Sequence, residues 1–116
     1  MKNKKRIGIL TGGGDCPGIN AVIRAVGKKI ILETGAQIIG IEDGYEGLIN
    51  NRYRKLEYRE LSGILTLGGT ILGTSKKANP YKYAVRQGGK LIFKDLSRVA
   101  IKNIKRLDLD CLVCIG

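Results

Sequence analysis

The amino-acid sequence predicts an α/β fold: an open, mostly parallel sheet with flanking helices, in a Rossmann-like three-layer arrangement. Two observations carry this prediction. An apolar segment at residues 6–11 is followed by a helical pattern and then by a second apolar segment at 36–41. Another helical pattern leads into a further apolar segment at 111–115. Strands that are joined through a helix form right-handed βαβ units, in which they run parallel.

The first helix is predicted from about Pro17 to Glu33, directly after the first strand. Its apolar residues follow the i, i+3, i+4, i+7 spacing of one buried face. These residues are Ile19, Val22, Ile23, Val26, Ile30 and Ile31. Pro17 suits the first helical turn, where no N–H partner is needed, and Gly35 suits the C-terminal end. The segment at 36–41 is then the second strand.

The middle of the chain is less regular. Residues 43–58 contain turn residues and a short alternating stretch, which predicts a small hairpin or an edge strand. Residues 62–80 are rich in glycine and predict at least one ordered loop. Between Tyr81 and Arg86 we expect a short helix.

The last helix is predicted with Asp95 as its N-cap and with cations in its final turns, where they complement the helix dipole. Its predicted apolar face consists of Leu96, Val99, Ala100, Ile104 and Leu107. In the strand that follows, Cys111 and Cys114 lie three residues apart and therefore point to opposite faces. A zinc site needs four ligands and the chain has no histidine, so we interpret both cysteines as core residues.

The formal net charge of +11 raises the question of a nucleic-acid partner. The basic residues are scattered, however, and the aromatic residues are five tyrosines and one phenylalanine. This pattern favours solvated basic faces over a nucleic-acid-binding module, which stays open as an alternative. No apolar run approaches the ~20 residues of a membrane span, and the first residues do not resemble a signal peptide. We therefore expect a cytoplasmic protein without a membrane partner.

Three consecutive glycines, Gly12 to Gly14, stand between the first strand and the first helix. At such a junction, backbone N–H groups and the helix dipole favour phosphate oxygens, and glycine lets a ligand approach the backbone. The stretch is not a P-loop, because no Lys-Ser or Lys-Thr follows, and Pro17 replaces the third glycine of a dinucleotide fingerprint. Glu42 or Asp43, after the second strand, keeps open an NAD-dependent oxidoreductase that would bind ribose there.

A second candidate phosphate site lies at residues 68–77, where glycines again allow close backbone approach. Its hydroxyl and ammonium groups belong to Thr70, Thr74, Ser75, Lys76 and Lys77. Together the two loops predict a site for a nucleotide or pyrophosphate. Asp15, whose carboxylate repels phosphate, either caps the helix or bears on a network of Mg²⁺ and phosphate. Both interpretations stay open.

Four stretches of the chain resemble the 6-phosphofructokinase family, in order and at matching spacing. IGILTGGGDCPGINAVIR resembles the opening signature, and GIEDGYEGL, GGTILGTSKKANP and LDCLVCIG are similar to the next three landmarks. The resemblance identifies residues 1–116 as an N-terminal fragment, part of the donor-binding α/β domain of a two-domain enzyme. It implies phosphoryl transfer to the 1-hydroxyl of fructose 6-phosphate, with ATP or pyrophosphate as donor and Mg²⁺ assisting.

The resemblance also implies roles for single residues around the donor. Gly14 matches a glycine whose backbone faces the donor phosphates. Lys76 stands where many members place a phosphate-contacting arginine, and Lys77 lies in the same donor-binding stretch. Tyr45 matches a tyrosine near the nucleotide.

A regulatory site and an oligomer are further implications of the resemblance. Arg24 and Lys28 fall where some bacterial members bind a regulatory nucleotide between subunits. Members of the family are cytoplasmic enzymes and usually homo-oligomers, so we expect a dimer or tetramer. The family's Mg²⁺-binding loop and general base lie beyond residue 116, which implies that the fragment alone is inactive.

Overall fold

The computed structural model describes residues 5–12, 18–64, 70–75 and 79–115. In chain order, these residues form β1 (Arg6–Thr11), α1 (Ile19–Thr34), β2 (Gln37–Ile41), α2 (Tyr45–Asn50), β3 (Tyr53–Leu56), α3 (Tyr58–Ser62), β4 (Tyr83–Gln87), β5 (Lys90–Lys94), α4 (Ser97–Arg106) and β6 (Cys111–Ile115). Four of the strands form the main sheet, and β4 and β5 form a separate two-stranded sheet.

The main sheet has the strand order β3-β2-β1-β6. β1 runs parallel to both of its neighbours, whereas β3 pairs antiparallel with β2 at the edge. The chain leaves β1 toward β2 and later returns to β6 on the other side of β1. The carboxyl ends of β1 and β6 therefore flank a point where the strand order reverses, the usual ligand position in open α/β sheets. The predicted mostly parallel sheet is confirmed.

Helices cover both faces of this sheet, which confirms the predicted three-layer arrangement. The helices α1 and α3 contact each other, and so do α2 and α4. On the first face, the buried residues are Ile9, Ile23, Ile38, Leu56, Leu61, Ile64 and Leu72. On the second face, they are Leu10, Ile39, Ile41, Leu48, Ile49, Ala100 and Leu107. Ile9 and Leu10 belong to opposite clusters because successive strand residues point to opposite faces.

The first helix closely follows its prediction. It ends at Gly35, which has a φ of 68° and donates its N–H to the Ile31 carbonyl at 2.9 Å. Left-handed glycine is the usual way to end a helix, so the predicted C-terminus is confirmed. Val22, placed on the buried face by the sequence, is 44% exposed, because the buried stripe runs through Ile23 and Gly27 instead. The predicted first residue, Pro17, lies outside the described residues.

The irregular middle contains the predicted edge strand, β3, and two short helices that the sequence did not indicate. The helix α2 has six residues, too few to show a helical period, and it includes Gly47. A glycine is needed there because a Cβ at Gly47 would overlap the Glu42 carbonyl oxygen. Tertiary contact, not propensity, therefore accounts for this helix.

The predicted helix from Tyr81 to Arg86 is wrong, because this segment enters the β4–β5 hairpin. Gly88 and Gly89 connect the strands with φ values of 60° and 77°. Two successive positive φ angles are those of a type I′ turn, which matches the twist of the flanking strands. The Gly-Gly pair between two apolar stretches was the signal for a hairpin.

The last helix begins near its predicted start. Asp95 Oδ1 accepts the Ser97 N–H at 2.9 Å and the Ser97 hydroxyl at 2.6 Å, while Leu96 occupies the N-cap position. These hydrogen bonds, first that of the side chain and then that of the backbone, lower the pKa of Asp95. Val99 is exposed, contrary to its prediction, and the polar Asn103 is buried in the helix face. Its Nδ2 donates to the Leu48 and Ile49 carbonyls at 2.8 and 3.0 Å.

The interpretation of Cys111 and Cys114 as core residues is wrong, since both are exposed. They lie on β6, the outermost strand of the described sheet, where only β1 pairs with them. Among the residues described, none of the helices combines the length and apolar character that a membrane crossing requires.

Gly47→Ala is expected to lower the free energy of unfolding by about 3 kcal/mol, because the new methyl group meets a fixed backbone carbonyl. Gly63→Ala is the matched control, since among the described residues a Cβ at Gly63 would approach only the Glu60 carbonyl oxygen, at 3.8 Å. Urea unfolding of both variants checks this. Equal stabilities of the two variants would contradict the packing of α2 against the end of β2.

Candidate functional site

The fully buried Thr11, at the carboxyl end of β1, joins the first strand to the segment 70–75. Its hydroxyl donates to the Gly73 carbonyl at 2.8 Å and lies 3.1 Å from the Thr70 hydroxyl. Because the Thr11 proton is used on Gly73, Thr70 is the donor between the two hydroxyls. These two hydrogen bonds hold together two regions of the chain that are 59 or more residues apart in sequence.

Two further hydrogen bonds hold the segment 70–75 against the sheet. Asn20, buried in α1, accepts the Ile71 N–H through Oδ1 at 2.9 Å. The Asp43 N–H, just after β2, donates to the Leu72 carbonyl at 2.8 Å. The segment therefore lies across the carboxyl ends of β1 and β2 and beside the first turn of α1.

Two glycines permit this close approach. Gly44 has a φ of 62°, and a Cβ there would lie 2.8 Å from the Thr11 carbonyl oxygen. Gly73 has a φ of 74°, and a Cβ there would lie 2.5 Å from Asp43 Oδ1. Close beside them is the buried Thr74 hydroxyl, which has no hydrogen-bond partner within the described part of the chain. The Thr74 hydroxyl is thus a polar group enclosed by closely packed backbone.

A cavity of about 560 Å³ opens next to this region, on the sheet face covered by α2 and α4. The residues around it are Gly12, Tyr45, Leu48, Ser75, Asn79, Pro80, Tyr81, Ser97, Ala100, Ile101, Ile104 and Leu112. Gly12 and Ser75 come from the two predicted phosphate loops, so the structure brings these loops to one place. Most of the remaining lining is apolar or aromatic, which suits a planar organic group next to a polar one.

Tyr45, predicted near the nucleotide, lines the cavity at the start of α2. Hydrogen bonding to the Cys114 side chain of β6, followed by partial burial and the charge of a Cys114 thiolate, raises the pKa of Tyr45 above its usual value of 10. The phenol therefore stays protonated at neutral pH.

The carboxylates predicted for ribose binding lie among arginines. Arg52 Nη2 lies 3.3 Å from Asp43 and 3.1 Å from Glu46. Arg54 Nε lies 3.9 Å from Glu42. These half-exposed pairs occupy the end of β2 and the neighbouring edge strand β3.

Arg24 and Lys28 lie on α1, on the sheet face opposite the cavity. Lys28 Nζ lies over the Tyr58 ring of α3, 4.7 Å from its centre, a cation–π contact. Arg24 Nε is buried and has no hydrogen-bond partner among the residues that the structure describes. The two predicted regulatory residues are thus one helical turn apart. Lys28 contacts an aromatic ring, whereas Arg24 Nε has no hydrogen-bond partner among the described residues.

Several predicted site residues lie outside the described residues: Gly13, Gly14, Asp15, Lys76 and Lys77. The sequence missed Thr11 and Asn20, although a polar residue in an otherwise apolar strand end or helix face is a signal for a buried hydrogen bond. The cavity wall from α4 was also missed, because its apolar residues were all assigned to the core.

Within residues 5–12, 18–64, 70–75 and 79–115, no three Cys, Asp or Glu side chains come together as metal ligands. These residues therefore do not by themselves form a Mg²⁺ site.

The sequence profile of the phosphofructokinase family matches residues 6–116. The chain is 51% identical over 117 residues to ATP-dependent 6-phosphofructokinase 2 of Clostridium perfringens, covering 100% of this chain and 32% of that protein. It is 47% identical over 111 residues to ATP-dependent 6-phosphofructokinase 3 of Bacteroides thetaiotaomicron, covering 96% and 32%. The chain thus spans about a third of the length of these relatives.

Solved structures with the same fold include the Pichia pastoris phosphofructokinase in the T-state, with a TM-score of 0.77 and 28% identity. That likeness covers 98% of this chain and 12% of the other. The Saccharomyces cerevisiae phosphofructokinase matches with a TM-score of 0.76 and 32% identity, over 96% of this chain and 14% of the other.

Thr11→Val is expected to lower the free energy of unfolding by about 1–3 kcal/mol, because it leaves the Gly73 carbonyl without its donor at nearly unchanged volume. Ser62→Ala is the control, since the Ser62 hydroxyl donates to the Tyr58 carbonyl in an exposed part of α3, where water replaces it. Urea unfolding measures both variants. A smaller loss of stability for Thr11→Val than for Ser62→Ala would contradict the role of the Thr11 hydroxyl.

The Tyr45 phenol is expected to ionise above pH 10. Because folding raises the pKa of Tyr45, this group stabilises the folded state at pH values below its unfolded-state pKa. The stabilisation is lost as the pH rises through the folded-state pKa. Phenolate absorbance of the protein, minus that of Tyr45→Phe, gives the midpoint. Cys114→Ala should lower this midpoint and Cys111→Ala should not. Equal effects of the two cysteine variants would exclude the hydrogen bond.

Proposed function

The chain belongs to the phosphofructokinase family, and from this premise we propose that residues 1–116 are the N-terminal part of the donor-binding domain of a longer enzyme. That enzyme is a two-domain 6-phosphofructokinase, which phosphorylates fructose 6-phosphate to fructose 1,6-bisphosphate in glycolysis. The observation that carries the proposal is the 51% identity over the whole chain to an ATP-dependent 6-phosphofructokinase. Since the chain spans about a third of such relatives, we expect the fragment alone to be inactive.

We assign the donor phosphates to the two glycine-rich loops, with Gly14, Lys76 and Lys77 as their contacts. Gly12 and Ser75, which lie within two residues of these contacts in sequence, line the same cavity, and this supports the assignment. Backbone N–H groups and lysine ammonium groups bind phosphate oxygens, and a glycine keeps the backbone accessible. Such binding places the donor at the carboxyl ends of β1 and β6, where the strand order reverses.

ATP, rather than pyrophosphate, is the donor that the cavity favours. Its lining includes the apolar residues Leu48, Ala100, Ile104 and Leu112. Apolar side chains do not bind pyrophosphate oxygens, but they pack well against the faces of a purine ring. The relatives are named ATP-dependent, which agrees with this choice. Tyr45 adds an aromatic side chain to the wall of the same cavity.

The proposal includes Mg²⁺, because this ion binds the ATP phosphates and neutralises their charge during phosphoryl transfer. Its protein ligands are not assigned within residues 5–12, 18–64, 70–75 and 79–115, where no three carboxylate or thiol side chains come together. The proposed enzyme is cytoplasmic and a homo-oligomer, in keeping with the family.

Arg24 and Lys28 are proposed as the contacts of a regulatory anion. They lie four residues apart on α1 and on the sheet face opposite the donor cavity. The buried Arg24 Nε, unpartnered within the described residues, supports an anion partner. Lys28 already has a contact with Tyr58 and contributes charge rather than a bidentate bond.

Two other functions were open from the sequence. An NAD-dependent oxidoreductase would need Glu42 or Asp43 for the ribose, but both carboxylates lie beside arginines. A nucleic-acid-binding module has the basic composition in its favour. The family membership favours neither. Thermal stabilisation of the protein by NAD but not by ATP would support the oxidoreductase. Oligonucleotide binding that weakens with salt would support the nucleic-acid-binding module.

The full-length protein is expected to phosphorylate fructose 6-phosphate with ATP and far more slowly with pyrophosphate. Lys76→Ala should raise the KM for ATP about tenfold, since it removes one charged phosphate contact. Lys29→Ala is the matched control, because Lys29 is an exposed lysine paired with Glu33 on α1. A coupled assay for fructose 1,6-bisphosphate measures both. Absence of turnover with either donor in the presence of Mg²⁺ would refute the proposed activity.

A further inference from the structure

The β4–β5 hairpin and its base, residues 79–94, carry four basic residues and no acidic one. The four are Lys82, Arg86, Lys90 and Lys94, and all of them are exposed. Among the residues that the structure describes, none of the four forms an ion pair with a carboxylate. This concentration of positive charge on a small exposed element favours a polyanionic partner.

One side of the hairpin combines cations with apolar surface. In the hairpin register, Phe93 lies opposite Ala84, and Leu91 lies opposite Arg86. Residues that lie opposite each other on paired strands point to the same side of the sheet. Lys82 belongs to this side as well, because its Nζ lies over the Phe93 ring, 5.2 Å from the ring centre. An aromatic ring thus has a cation directly beside it.

This side of the hairpin is turned away from the rest of the fold. Tyr83, on the other side, packs against the buried cluster of the α2–α4 face. Its hydroxyl also accepts a hydrogen bond from Asn50 Nδ2 of α2 at 3.1 Å. Phe93 and Leu91 are accordingly 56% and 59% exposed. The hairpin therefore presents a ring and its neighbouring cations to solvent while its other side is anchored.

Charge and shape together decide which partner fits this surface. A second copy of the chain would bring like charges together across the contact, which is unfavourable. An acidic peptide would neutralise the cations, but its carboxylates offer no flat surface to the Phe93 ring. Single-stranded nucleic acid supplies both groups in every repeat, because each nucleotide has a planar base for the ring and a phosphate for a cation.

We propose that the outward side of the β4–β5 hairpin binds single-stranded nucleic acid. Phe93 stacks on a base, and Lys82 and Arg86 contact phosphates on either side of it. This binding is a second activity that does not depend on the proposed phosphoryl transfer, because none of these three residues lines the donor cavity. The basic residues look scattered in the sequence because a strand period separates them, and the hairpin register places them together.

The test measures the binding of a fluorescent oligouridylate of about 12 nucleotides to the full-length protein by anisotropy. Phe93→Ala and Phe93→Leu should each raise the dissociation constant about tenfold, because neither new side chain has a ring. Phe93→Trp should retain the affinity. Tyr53→Ala is the control and should change nothing, because Tyr53 is a half-exposed aromatic residue on β3.

The salt dependence of the same binding tests the cations. Each phosphate contact of a single strand contributes about 0.7 to the slope of log affinity against log salt concentration. Lys82→Gln and Arg86→Gln should each reduce the slope by about this amount. Lys55→Gln is the control, because Lys55 is a lysine of β3 that is paired with Glu57. Polyglutamate of the same charge, which has no bases, should bind at least about tenfold more weakly than the oligouridylate.

Absence of oligouridylate binding at low salt, or an unchanged dissociation constant in Phe93→Leu, would overturn the inference. Equal binding of polyglutamate would also overturn it, since the surface would then fit an acidic protein. Phosphorylation of fructose 6-phosphate should be the same in all hairpin variants, and a parallel loss of both activities would contradict the inference by indicating a structural role for Phe93. If the wild-type protein binds oligouridylate through Phe93 but phosphorylates no fructose 6-phosphate, the proposed function fails and the inference stands.

Discussion

The buried hydroxyl of Thr11 is the interaction on which the rest of the site depends. It lies at the end of β1, the central strand, which is parallel to both neighbours. From there it bonds to Thr70 and Gly73, far along the chain. A buried hydroxyl without partners would cost stability, so this geometry is favoured over alternatives in which the loop moves away. The position of the segment 70–75, and with it one wall of the cavity, follows from that constraint.

Glycine makes such close packing possible at the ends of the strands. At Gly44 and Gly73, positive φ angles coincide with contacts that a Cβ would obstruct. The same two properties, backbone freedom and absence of a side chain, suit the neighbouring glycine-rich loop to a polyphosphate. Close packing and ligand access therefore both favour glycine at this edge of the sheet.

The sheet separates the two candidate sites of the chain. The cavity lies on the α2–α4 face, whereas Arg24 and Lys28 lie with α1 and α3 on the other. On α1, Asn20 accepts the Ile71 N–H one helical turn before Arg24. An anion at Arg24 would thus act on the same helix that holds the segment 70–75. In the proposed enzyme, this gives regulation and donor binding a shared structural element.

The sequence by itself determined the α/β class, the parallel strands and the long first helix. Those features follow from periodicity, from βαβ handedness and from glycine placement, all of which are local or nearly so. The hairpin in place of a predicted helix also has a local signal, the Gly88-Gly89 pair. Only the tertiary structure decided the short helix α2 and the exposure of Cys111 and Cys114. It also decided that Thr11, Asn20 and Asn103 are buried, because their partners lie about fifty or more residues away. Long-range hydrogen bonds leave no period in a sequence, so residues that depend on them become visible only once the chain has folded.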